Sequence, residues 1–214
     1  MARISVLGGT GYAGGHIVRE AASRGHEVTS YSRNAPAVPV DGVTYVTASA
    51  LDDGFVAAAL ADADVVIEGL APRGPLAGEV RGIVAQLAVA AQEAGVRLGV
   101  IGGAGSLQVA PGGPQLFTTP EFPEAFKAEA LEMGSVLDDL REAPPELDWF
   151  YISPAAGFGS YAPGEATGAY RLGADVLVAD ESGVSFISGA DFALAILDEV
   201  ETPAHRRTRF TAAY

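Results

Sequence analysis

Three glycines at fixed spacing, Gly8, Gly11 and Gly14, sit where a short apolar segment gives way to a helical pattern. No other feature of the chain restricts its fold so tightly. Ile4-Ser-Val-Leu7 reads as a buried strand stopped by Gly8, and Tyr12 to Arg24 as a helix closed by Gly25. In a strand–turn–helix unit each glycine has its own task. The first permits the tight turn, the second lets backbone approach a diphosphate, and the third lets the helix pack closely on the sheet. The diphosphate would meet the helix N-terminus, where free N–H groups and the positive end of the dipole converge. A glycine-rich turn without a ligand would explain the turn but not the spacing. Gly8, Thr10, Gly11, Tyr12, Ala13 and Gly14 are therefore candidate dinucleotide-binding residues.

The alternation of elements continues along the chain. Strands are expected at 27–31, 43–46, 64–67, 97–101 and 147–152, and helices at 52–60, 78–94 and 121–140. Two short strands, 169–178 and 184–187, a helix from Asp191 to Glu201 and a last strand at 208–212 complete the pattern. Strands separated by helices predict an α/β, doubly wound parallel-sheet Rossmann fold. No linker interrupts residues 1–214, so one domain is expected. The irregular Gly/Pro/aromatic segment after Ser153, up to about residue 190, and the tail would form a small C-terminal substrate-side subdomain.

Composition excludes other chemistries. Cysteine is absent, which removes disulfides, thiolate catalysis and iron–sulfur clusters. His16, His26 and His205 lack metal-ligand spacing, so no metal site is expected. A formal charge of −14 opposes binding to nucleic acid or to an anionic membrane. It does not forbid phosphate held by local N–H groups. No targeting or membrane-spanning run is visible, and a cytoplasmic protein is expected. A homo-oligomer stays open.

Cofactor choice is read at the end of the second strand, where NAD sites place an acidic residue and NADP sites an arginine. This chain has Ser32-Arg33-Asn34 there, and Glu27 stands at the wrong end of the strand. Arg33 offers a charge-assisted fork to a 2′-phosphate, with Ser32 and Asn34 able to add hydrogen bonds. NADP(H) is expected over NAD(H).

The glycine segment, Ser32-Arg33-Asn34, Val100-Ile-Gly-Gly-Ala-Gly-Ser-Leu107 and Leu147-Asp-Trp-Phe-Tyr-Ile-Ser-Pro154 together resemble the atypical short-chain dehydrogenases/reductases. The nearest branch holds NADH-flavin-reductase-like, biliverdin IXβ/flavin reductase and NmrA-like proteins, and the tail, 168–192, is similar to the same branch. The resemblance implies that Gly69, Leu70 and Ala71 pass the nicotinamide-side ribose. It also implies that Ile101, Gly102 and Gly103 back the nicotinamide, and that Ser153 and Pro154 close over it. The acidic adenine contact of that family is missing, since Ala48-Ser49-Ala50 stands in its place.

Typical members of the larger group donate a proton from Tyr-x-x-x-Lys, assisted by a serine. Here Lys127, the chain's only lysine, is preceded at that spacing by Pro123, and Ala104 falls at the serine position. Ser106 and Lys127 are the candidate catalytic residues. Ser106 reads more readily as a loop-capping serine, and Lys127 as an exposed helix residue. Tyr12 would cover the diphosphate or stand exposed, Asp191 would start a helix, and Trp149 would be core.

Ordinary ketone reduction is disfavoured by the missing tyrosine. A flavin or quinone accepts hydride without a protein acid, so an aromatic small-molecule substrate is expected, with flavin as substrate rather than bound cofactor. Phe117, Phe122, Phe158 and Tyr161 could stack on it or serve as loop anchors. The expected function is an NAD(P)H-dependent reductase. The alternatives are a non-catalytic NAD(P) sensor of NmrA-like type and an epimerase- or isomerase-like enzyme with retained cofactor.

Overall fold

The computed structural model describes residues 1–214. Its strands are β1 (Arg3–Leu7), β2 (Glu27–Ser32), β3 (Thr44–Thr47), β4 (Val65–Glu68), β5 (Arg97–Ile101), β6 (Trp149–Pro154), β7 (Arg171–Gly173) and β8 (Thr208–Ala213). The helices are α1 (Tyr12–Ser23), α2 (Phe55–Leu60), α3 (Val80–Ala94), α4 (Lys127–Glu142) and α5 (Gly189–Glu201). All strands join one sheet in the order β3-β2-β1-β4-β5-β6-β8-β7. Every pairing is parallel except β7 with β8. This is the expected doubly wound α/β Rossmann fold.

Alternation along the strands builds two cores. Leu7, Val66, Leu98, Val100, Trp149 and Tyr151 face α2, α3 and α4. Val6, Val65, Ile67, Phe150, Ile152 and Phe210 face α1 and α5. Both faces of the sheet are covered, which is why the strands read as continuous apolar runs. Strand order reverses between β1 and β4. The loops leaving their carboxyl ends therefore diverge and open a crevice there.

Three local expectations change. The helix expected from Glu121 starts at Lys127, after a 3-10 turn at Glu124–Phe126 that follows Pro123. Asp52 and Asp53 precede α2 instead of opening it, and Asp52 accepts from the Ser49 N–H within a turn. Of the two short strands expected between 169 and 187, only Arg171–Gly173 forms. Around 184–187 a single bridge joins Phe186 to Gly157.

Candidate functional site

Gly8 has φ of +79°, and a Cβ there would lie 2.8 Å from the Gly69 carbonyl oxygen. A Cβ on Gly14 would overlap the Gly8 carbonyl, so α1 can approach β1 only with glycine at that position. The first helical bond of α1 runs from the Gly15 N–H to the Gly11 carbonyl (2.8 Å). The N–H groups of Tyr12, Ala13 and Gly14 therefore have no helix carbonyl to meet. Gly11 carries no side chain, and a Cβ added to it would meet only the Gly8 carbonyl, at 3.1 Å. A bare helix N-terminus with free donors and a cradle that a Cβ would narrow fits a diphosphate.

This loop lies on one side of a cavity of about 610 Å³. Gly8, Thr10, Gly11, Tyr12, Ala13, Gly14, Ser32, Arg33, Asn34, Gly69, Leu70, Ala71, Ile101, Gly102, Gly103 and Pro154 all line it, so the structure brings together nearly all the expected cofactor residues. Ala48 and Ala50 line it too, in place of an acidic group. Ser153 does not; it is fully buried, and its hydroxyl has no partner.

The residues after β2 divide their work. The Ser32 hydroxyl accepts from the Thr10 N–H (3.0 Å) and donates to the Tyr31 carbonyl (2.7 Å), which ties the glycine loop to the sheet. Arg33 is exposed and makes no hydrogen bond or ion pair within the chain. In a protein of net charge −14, a cation without a carboxylate partner at this point of the crevice is set apart from most other arginines.

Beyond the glycine loop the cavity becomes aromatic. Phe122 and Phe126 stand on one wall, Phe158 and Tyr161 on the other, with Leu116 and Met133 between elements. Phe117 is held outside by its N–H bond to the Gly105 carbonyl (2.9 Å). The charged side chains lining the whole cavity are Arg33, Arg73 and Glu129, and the last two are paired.

Neither catalytic candidate reaches the cavity. The Ser106 hydroxyl is buried and accepts from Arg209 (2.8 Å), whose guanidinium also pairs with Asp175. Lys127 pairs with Glu124 one turn away (2.6 Å) on the outer face. The helix offers no tyrosine, because Pro123 caps the preceding 3-10 turn.

Two features had not been foreseen. Glu68, at the end of β4, is fully buried. One carboxylate oxygen accepts from the Leu70 N–H (2.7 Å) and the other has no partner. Burial pushes this carboxyl up to about 8, the Leu70 N–H opposes the rise, and Glu132 adds to it. A carboxylate closing the apolar run Val65-Val-Ile67 was the signal for it in the sequence. The second is a latch over α1. The Tyr12 hydroxyl donates to the Pro163 carbonyl (3.2 Å) and accepts from the Gly189 N–H (3.1 Å). Asp191, at the start of α5, accepts from the Thr167 N–H (2.7 Å), the Gly168 N–H (3.0 Å) and the Tyr214 hydroxyl. Burial alone would raise the Asp191 carboxyl, but these donors hold it below the usual range. Tyr12 is thus neither a free cover nor simply exposed.

Comparison with known proteins agrees with this geometry. A solved protein from Burkholderia pseudomallei, described as a "putative exported protein", is 43% identical over 100% of both chains, with a TM-score of 0.87. A "putative epimerase" from Bacteroides thetaiotaomicron is 34% identical over 100% of this chain and 97% of that one, TM-score 0.88. A "putative NADH-flavin reductase" from Streptococcus pneumoniae is 30% identical over 100% and 99%, TM-score 0.83. No helix is long and apolar enough to cross a membrane. The family model described as NAD(P)H-binding matches residues 8–203, and with the glycine loop, sheet order and crevice in register, the chain belongs to the NAD(P)H-binding family.

Proposed function

We propose that this protein is an NADPH-preferring reductase that delivers hydride to a planar aromatic acceptor of the flavin or quinone class. One observation carries the reading: a single crevice joins the glycine loop and the unpaired Arg33 to an end walled by Phe122, Phe126, Phe158 and Tyr161. The N–H groups of Tyr12, Ala13 and Gly14 would hold the diphosphate, and Arg33 the 2′-phosphate. Ile101, Gly102 and Gly103 would back the nicotinamide, which supplies the hydride when bound. The aromatic walls would stack the acceptor against it, so that catalysis rests on proximity and orientation. The S. pneumoniae neighbour's description points the same way. Its need for reduced nucleotide supports a cytoplasmic location as part of this reading.

A second reading, a sensor that binds the dinucleotide without turnover, is favoured by Pro123 standing where the group's proton donor belongs. An epimerase needs an acid–base pair, and the one carboxylate lining the crevice, Glu129, is engaged by Arg73. Calorimetry with NADPH and NADH tests the cofactor assignment. NADPH is expected to bind more tightly, with the preference lost in Arg33→Ala. Steady NADPH oxidation with riboflavin or 2-methyl-1,4-naphthoquinone supports the reductase. Tight binding with no oxidation supports the sensor.

A further inference from the structure

Arg73 stands in the turn that follows β4. Its N–H bonds to the Ala71 carbonyl (2.7 Å) and its carbonyl accepts from the Leu76 N–H (3.1 Å), so its backbone is fixed. The guanidinium lies 5.5 Å from the centre of the Phe126 ring. Its Nε and Nη2 engage Glu129, with Nη2 to Oε1 at 3.1 Å. Nη1 has no partner within the chain. A planar cation held by a ring and a carboxylate, with one nitrogen left over, is oriented before any ligand arrives. It lies on the aromatic wall of the crevice, where it is the one cation.

The other polar groups near this wall are committed or different in kind. The Tyr151 hydroxyl is buried and donates to the Met133 carbonyl (2.9 Å). Ser106 and Lys127 are engaged elsewhere, as described. Ser160 and Tyr161 line the same end, are exposed, and offer neutral hydroxyls instead of a charge.

Resting on the reductase reading, we propose that Arg73 is a catalytic residue whose free Nη1 donates a hydrogen bond to the acceptor oxygen on which negative charge collects during hydride transfer. The acceptor takes the hydride released as the C4–H bond of the reduced nicotinamide breaks, and a new bond to that hydrogen forms on the acceptor. The acceptor is reduced by two electrons and the nucleotide is oxidised by two. The acceptor then carries one negative charge on oxygen until water supplies a proton. Arg73 keeps its own proton throughout. A fixed cation would thus perform the charge stabilisation for which the Tyr-x-x-x-Lys arrangement uses a phenol.

The test separates charge recognition from packing. 2-Hydroxy-1,4-naphthoquinone is an anion at neutral pH and stands for the charged product, and 2-methyl-1,4-naphthoquinone is its neutral counterpart. Calorimetry in the presence of NADP+ is expected to show Arg73→Gln weakening the anion about tenfold, the worth of one charge-assisted hydrogen bond, while the neutral compound changes less than about twofold. Turnover with the neutral quinone is expected to fall by about ten- to a hundredfold in kcat with little change in KM. Arg73→Lys is expected to recover part of both. Equal weakening of the two ligands, or kcat retained in Arg73→Gln, overturns the proposal while leaving the reductase reading intact. So does full recovery of anion binding in Arg73→Gln/Glu129→Gln, which would trace the effect to an unmasked Glu129. A kcat loss confined to Tyr161→Phe overturns it as well. A native protein that neither binds nor turns over either quinone or riboflavin ends both the proposal and the reading. The Arg73 side chain is 62% exposed, so its replacement leaves the fold in place.

Discussion

At the amino ends of the parallel strands charges interlock, whereas at the carboxyl ends they are sparse and Arg33 has no partner. Below β5 and β6, buried Arg97 donates to Glu199 Oε1 (2.5 Å) and to the Glu199 carbonyl (2.8 Å). Glu199 also accepts from the His205 ring (2.7 Å), and Arg97 lies 4.7 Å from the Phe150 ring centre. Nearby, Arg24 reaches Glu20, Asp198 and Glu201, and Arg3 reaches Asp64. At the other end, Arg33 is unpaired, one Glu68 oxygen is orphaned, and glycines replace side chains along the rim. The paired end fixes the sheet. The open end leaves donors and one cation available to a ligand, at a cost in stability that the paired end helps offset.

Four measurements can break or sharpen that contrast. The largest effect is expected from Glu199→Ala, which takes from buried Arg97 its hydrogen-bonded carboxylate and leaves only Asp148, 3.4 Å from Nε. Stability should fall by about 3–5 kcal/mol in denaturant unfolding, with NADPH affinity unchanged. Burial would raise the Glu199 carboxyl, but Arg97 and His205 hold it below its ordinary value. Its contribution is therefore present above the unfolded carboxylate range and lost as pH falls through the folded value. Next comes Gly14→Ala, whose methyl would overlap the Gly8 carbonyl. A loss of about 2–3 kcal/mol is expected, with nucleotide binding abolished. Nucleotide binding retained by this variant would mean that α1 can shift without loss of the site.

Glu68 gives a smaller, pH-dependent effect of opposite sign. Its carboxyl is raised from 4.5 to about 8, so the folded protein holds a proton that the unfolded chain releases. Stability from this group is full below about pH 4.5 and lost as pH rises towards 8. Glu68→Gln should flatten that slope and be the more stable protein at pH 8. Equal slopes in thermal melts across this range would show that the carboxyl stays ionised in the fold. The smallest effect is expected from Arg33→Ala: stability within about 0.5 kcal/mol, NADPH affinity reduced about tenfold, and NADH affinity unchanged.

The open end was the more legible in sequence, and the reason is locality. Gly8, Gly11 and Gly14 act within one turn, and Ser32-Arg33-Asn34 follows directly on a strand. The paired end depends on separations that no spacing rule encodes: Arg97 and Glu199 are 102 residues apart. The same limit hid the fate of Ser106, whose partner Arg209 lies 103 residues on, and the Arg73–Glu129 pair, 56 apart. The burial of Ser153 was hidden for another reason. All of β6 is buried, so alternation gives no sign of which face a residue serves. For Lys127 the partner is local, Glu124 three residues before it, which agrees with the reading as a helix-surface residue.

The latch described above also sets how the mouth of the crevice can move. The Gly157 N–H is moored to the Ser185 carbonyl (2.8 Å), and the Pro163 carbonyl to Tyr12. Between these moorings lies the span from Phe158 to Ala162, closed on itself by an Ala162 N–H to Gly159 carbonyl turn (3.0 Å). Phe158 and Tyr161, which form one wall of the aromatic end, belong to this span. The span that carries this wall is therefore hung from the same helix whose first turn would hold the diphosphate. A change at Tyr12 would therefore be felt both by that wall and by the first turn of α1.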